Sequence, residues 1–139
     1  MFEMFEHKAD IGVRGIGATK ESAFAECGKA LFEIMCNTKK VMPSQKTELS
    51  VQAKNSDELL VEFLNELLYL KDTEGMLFSK FEIEIKKVGK EFGLEGIAFG
   101  EKIDEKKHEL KTDAKAASYS QLKVVKEDEK WIAQCIIDV

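Results

Sequence analysis

Apolar residues recur along this chain with two distinct periods, and the change of period marks out the elements. From about Thr19 to Met35, Phe24, Cys27, Leu31, Ile34 and Met35 return at the spacing of one helix face. Thr19 is placed to cap that helix, and Glu21 follows in its first turn, where a negative charge suits the dipole. A second helix is predicted from about Asp57 to Leu70, with Ser56 as its cap. Its stripe of Leu60, Phe63, Leu64 and Leu67, widened by Leu59, Leu68 and Tyr69, demands burial against a sheet or another helix. The remainder alternates with period two. Phe2–Glu6 and Ile11–Ile16 read as strands around a turn at His7-Lys8-Ala9-Asp10, and Leu49, Val51 and Ala53 as a third strand. Phe81, Ile83 and Ile85 alternate with charged residues, and Phe92 leads to Phe99 through Gly96, a glycine that signals a bulge or close approach. A long strand is expected over Ala114–Val125, then a charged turn at Glu127-Asp128-Glu129 and a last strand over Trp131–Asp138. The order β β α β α followed by four strands predicts a single α+β domain over residues 1–139, with two helices packed on largely antiparallel sheet.

Composition narrows the classes. Of the 139 residues, 44% are hydrophobic, enough for a core without disulfides or metal to complete it. The formal charge of −5 disfavours a domain that grips a nucleic-acid backbone by itself. No apolar run is long enough to span a bilayer, and the alternating, acid-bearing start is not a signal peptide. Cys27, Cys36 and Cys135 match neither a zinc motif nor a disulfide framework, and read as reduced, buried thiols of a cytoplasmic protein.

No phosphate-binding glycine loop, zinc-helix motif, nucleophile elbow or calcium-binding loop is present, and Gly12, Gly15 and Gly17 read as a glycine-rich bend in a strand. Two histidines leave Ser118 and Ser120 without an evident His–acid partner. Glu101, Asp104 and Glu105 read as part of an exposed charged loop. What remains is a set of polar residues at strand ends. His7 and Asp10 stand in a turn between apolar strands, and Asp138 directly follows Cys135-Ile136-Ile137. If the first and last strands bring Asp10 near Asp138, negative oxygens share one site. Such a site needs a raised pKa, a lysine or a hard divalent cation.

Read together and in order, these residues resemble the archease family. Glu6-His7-Lys8-Ala9-Asp10-Ile11-Gly12 is similar to its N-terminal EHTADIG motif, with Lys8 in place of the threonine. Asp57 to Tyr69 resembles its leucine-rich LNELLY helix. Gly100-Glu101, His108, Lys115-Ala116 and Tyr119 resemble its third block, in which Ser120 replaces the usual histidine, and Ile136-Ile137-Asp138-Val139 resembles its ending. The resemblance implies a small α+β protein that assists the RtcB-type RNA ligase of tRNA splicing. It would promote guanylylation of the ligase and repeated turnover without being an enzyme itself. It further implies a bound divalent metal, usually calcium, with Asp10 and Asp138 as side-chain ligands and Val139 adding an oxygen. His7 and Lys115 would belong to the partner-activating tip, and tRNA would be met only through the ligase. The alternative is a chaperone-like modulator of a tRNA cytosine-5 methyltransferase. A metal-dependent hydrolase is disfavoured, because no general base stands beside the acids.

Overall fold

The computed structural model describes residues 1–139. The chain forms, in order, β1 (Phe2–His7), β2 (Asp10–Gly17), α1 (Lys20–Met35), β3 (Gln45–Ala53), α2 (Ser56–Glu74), β4 (Met76–Val88), β5 (Glu91–Lys102), α3 (Glu105–His108), β6 (Ala116–Ala117), β7 (Lys123–Glu127) and β8 (Lys130–Asp138), with one 3-10 turn at Thr38–Lys40. The strands make two antiparallel sheets. One has the order β1-β2-β8-β6, with β7 also paired to β8; the other has the order β3-β5-β4. The α+β class and the packing of two long helices on antiparallel sheet are as expected. No helix is long and apolar enough to cross a membrane.

α1 lies between the sheets, against β2 and β8 on one side and β4 on the other. Its approach to β2 is close because Gly15 carries no side chain: a Cβ there would stand 2.0 Å from the Ala23 carbonyl oxygen and 2.4 Å from the Cys27 nitrogen. On the opposite face of the same strand, a Cβ on Gly12 would fall 2.2 Å from the Phe5 ring. The glycines of β2 therefore make room on both faces of a continuous strand; they do not mark a bend. Phe81 joins the layers, with ring centroids 6.0 Å from Phe63 of α2, 6.2 Å from Phe32 of α1 and 6.3 Å from Phe78 of β4. These tilted and edge-on arrangements are the favourable ones for aromatic pairs.

Several boundaries differ from the sequence reading. Thr19 caps α1 through a reciprocal bond with Ser22, but the cap of α2 is Asn55, whose Oδ1 accepts the Glu58 N–H at 2.9 Å. α2 runs to Glu74 and stops at Gly75, which takes the left-handed conformation (φ 63°) that glycine adopts most cheaply. The long strand expected over Ala114–Val125 is two short ones. Ser118-Tyr119-Ser120-Gln121 turns out of the sheet, with Gln121 left-handed (φ 49°), and the registers of β6 and β7 on β8 differ by three residues. Serine hydroxyls that bond to nearby main chain favour such an interruption, and the alternation on either side hides it.

Of the charged stretch expected as an exposed loop, Asp104 and Glu105 are exposed, but Glu101 is largely covered. Glu101 accepts from Lys107 Nζ at 2.7 and 2.8 Å and from the Met42 N–H at 2.6 Å. The Lys107 ammonium holds the Glu101 carboxyl below its ordinary range. His108 is fully buried beside it, and its Nδ1 accepts the Asp104 N–H at 2.9 Å. This polar knot pins α3 to the end of β5.

All three cysteines are free and buried, as expected. Burial raises the Cys27 thiol well above its ordinary pKa, lifts Cys36 to about 11 and Cys135 to about 12. A raised pKa means less thiolate at any given pH; at a pKa near 12 roughly one thiol in ten thousand is ionised at pH 8. We expect the native protein to resist iodoacetamide at pH 8 and to take up three equivalents once unfolded in guanidinium. Rapid labelling of Cys135 in the folded state would contradict this packing.

Candidate functional site at the end of the five-stranded sheet

β8 is the middle strand of the larger sheet, and it organises the site. β2 lies on one side of it with Ile11 opposite Ile137, so the next step of the ladder sets Asp10 opposite Asp138. On β8's other side Ala116 faces Asp138, and across β2 His7 faces Asp10. His7, Asp10, Asp138 and Ala116 thus form one row across four strands, at the end where the β1–β2 hairpin turns through Lys8 and Ala9. Residues opposite one another in antiparallel sheet share a face, with Cα atoms about 5 Å apart. The row lies on the face away from α1, because the alternate residues Val13, Cys135 and Ile137 belong to the core. Lys115 precedes the row on β6, and its N–H donates to the Asp138 carbonyl oxygen at 2.8 Å. Val139 follows Asp138 on the other side of the same pleat.

The face behind the row is ordered by side chains. Phe5 covers Gly12, and the Arg14 guanidinium stands 4.8 Å over that ring. Arg14 donates to Gln134 at 2.9 Å and to Glu3 at 2.7 Å, and Gln134 donates to the Gln121 carbonyl at 3.1 Å. The only arginine of the chain is therefore committed to holding the hairpin and the 118–121 turn on the sheet.

The row itself is uncompensated. Asp10 is half-buried and Asp138 exposed, and neither they nor Lys115 enters any ion pair of the structure. His7 Nδ1 is buried without a hydrogen-bond partner. Like charges directly opposite in a sheet are unfavourable, so the pair suits a cationic ligand. Carboxylate oxygens are the donors that calcium and magnesium prefer, and Val139 can add another oxygen; that donor set fits a hard divalent ion. No group of three or more His, Cys, Asp or Glu side chains converges to hold a metal anywhere. For such an ion the side chains of the tip alone would supply an incomplete shell.

Four of the five residues singled out from sequence, Asp10, Asp138, Lys115 and Val139, come together with the fifth, His7, at one end of one sheet. Two residues that matter there were not singled out. Asn65 of α2 accepts the Ala117 N–H at 2.8 Å, and Asp57 accepts the Val124 N–H at 2.8 Å. A half-buried asparagine inside the Leu64–Leu68 stripe was the available signal. Lys71 is also committed: burial disfavours its charge, but bonds to Asp113 at 2.7 Å and Asp72 at 3.1 Å raise its pKa nonetheless.

Two helices and two antiparallel sheets carrying an acidic tip at a strand end define a class of small α+β proteins. Comparison with known proteins gives that class its family. The sequence pattern of the Archease protein family (MTH1598/TM1083) matches residues 2–139, and the chain belongs to that family. Protein archease of Pyrococcus abyssi is 41% identical over 139 residues, covering 99% of this chain and 98% of its own. That of Methanosarcina barkeri is 32% identical, covering 99% and 95%. The solution structure of protein 1598 of Methanobacterium thermoautotrophicum superposes with a TM-score of 0.87 at 33% identity, covering 99% of this chain and 98% of that one. An archease of Thermotoga maritima, described as a possible chaperone, shares the fold at a TM-score of 0.61 and 19% identity, covering 100% and 98%.

With chelator present and at low salt, Asp10→Asn should leave urea-unfolding stability unchanged or raise it by about 0.5 kcal/mol, through relief of the facing carboxylates. A loss of more than about 1 kcal/mol would mean that Asp10 already has a stabilising partner within the chain.

Proposed function

We propose that this protein is a non-enzymatic activator of the RtcB-type RNA ligase of tRNA splicing, promoting guanylylation of the ligase and multiple turnover. The observation that carries the reading is the row of His7, Asp10 and Asp138 beside Lys115, which unites at one sheet end residues from three of the four blocks on which the family resemblance rests. Asp10, Asp138 and an oxygen of Val139 hold a divalent cation in this reading, most naturally calcium, which tolerates an irregular oxygen shell. When bound, that ion neutralises the two carboxylates and offers open positions to phosphate or carboxylate oxygens of a partner.

The chain's own residues do the rest. The hairpin fixes Asp10 at the end of β2, and β8 fixes Asp138 opposite it. Lys115 carries an ammonium free of internal partners, available to a phosphate or a partner carboxylate. An activator of this kind works transiently, so a modest polar tip suffices and no large apolar patch is needed. The net charge of −5 leaves RNA binding to the ligase. The buried, reduced thiols suit the cytoplasm.

The test is guanylylation of the RtcB-type ligase from the same source, with GTP and controlled divalent ion. Substoichiometric wild-type protein should accelerate it, and Asp10→Ala, Asp138→Ala and Lys115→Ala should each lose most of the stimulation while remaining folded. No stimulation of an active ligase by folded wild-type protein would reject the activator reading. Protection of a tRNA methyltransferase from aggregation, independent of Asp10, would then favour the chaperone alternative.

A further inference from the structure

The segment that carries Lys115 is held in an irregular register. Lys115 and Ser118 both donate their N–H groups to β8, at 2.8 Å to Asp138 and 2.9 Å to Ile136. In a regular strand, N–H groups that point the same way are an even number of residues apart. These two are three apart while their acceptors are two apart, so β6 holds one extra residue between them, a bulge. Ala117 precedes Ser118, whose N–H is turned to β8, so its own N–H points away from β8. It points toward α2 instead, where Asn65 Oδ1 accepts it at 2.8 Å. The Ala117 residue is buried, and no other acceptor is recorded for that N–H.

We propose that Asn65 is a positioning residue: its side-chain oxygen anchors β6 along β8, and so holds Lys115 beside the Asp10–Asp138 row. Without that acceptor the bulged register contains an orphaned buried donor, an unfavourable state. The escape is for β6 to loosen from β8 and α2 until water reaches that N–H. Lys115, two residues before Ala117, would then lose its fixed place beside Asp138. The neighbouring clamp fits the same geometry. Lys71 Nζ bonds Asp113 at 2.7 Å, so α2 grips this segment on either side of Lys115. The hydrogen bond of Asn65 goes to main chain, so it acts on Lys115 through the backbone of β6.

The functional arm of this proposal rests on the activator reading, whereas its structural arm does not. Amide hydrogen exchange followed by NMR on wild-type, Asn65→Ala and Asn65→Asp proteins separates the two. In Asn65→Ala the Ala117 amide should exchange faster by on the order of tenfold relative to the β2–β8 amides, with the Lys115 and Ser118 resonances displaced. Asn65→Asp keeps an acceptor at the same place and should restore both. Should Asn65→Ala not fold, a coupling across the hydrogen bond from the Ala117 nitrogen to the Asn65 side-chain carbonyl carbon in wild type decides the matter. Its presence supports the assignment and its absence overturns it. Unchanged Ala117 exchange and unmoved Lys115 resonances in folded Asn65→Ala would also overturn it. In the ligase assay, Asn65→Ala should cut the plateau of stimulation several-fold and Asn65→Asp should recover it. If wild type fails to stimulate, the activator reading falls, and the exchange data alone judge the positioning role.

Discussion

Everything at the tip depends on β8 being paired on both edges. β2 and β8 are separated by more than a hundred residues of chain, yet their register alone decides that Asp10 meets Asp138. β6 borrows the other edge of β8 and brings Lys115 alongside. Since the side-chain period of a strand is two, a one-residue error on either edge would invert the face of a whole strand. The core makes such errors costly: Val13, Cys135 and Ile137 must face α1, so Asp10 and Asp138 must face away from it.

That constraint explains why the second sheet and the helices look remote from the proposed activity and yet serve it. α1 is seated on β2 by the absent side chain of Gly15, and is tied to β4 through Phe32 and Phe81. α2 shares that aromatic cluster through Phe63, and along its other side supplies Asp57 and Asn65 to the main chain of the interrupted edge. In effect α2 stands in for a missing neighbouring strand, with carboxylate and amide oxygens replacing carbonyls. An edge so covered is also protected from pairing with another chain.

The sequence was most informative where one local force dominates. Helical stripes and period-two alternation placed α1, most of α2 and the strands, because burial of one face is written in spacing. Asp10 and Asp138 were legible as a pair because each is a charge next to an apolar run, and Lys115 became legible through the family resemblance. The reading failed where long-range geometry intervenes. Ser118 to Gln121 leave the sheet although the alternation continues past them. Glu101 belongs to a covered polar knot around His108, which only the fold assembles. Asn65 was not singled out, because its partner is a main-chain N–H more than fifty residues away.

If the Asp10–Asp138 row binds a cation, calcium titration of the isotope-labelled protein will reveal it residue by residue. Amide and carboxylate shifts should be confined to His7–Asp10, Lys115–Ala117 and Asp138–Val139, and all should be abolished by Asp138→Ala. Absence of any shift at millimolar calcium would contradict cation binding there. So would shifts centred on the exposed carboxylates of the other sheet, Glu48, Glu82, Glu84 and Glu95.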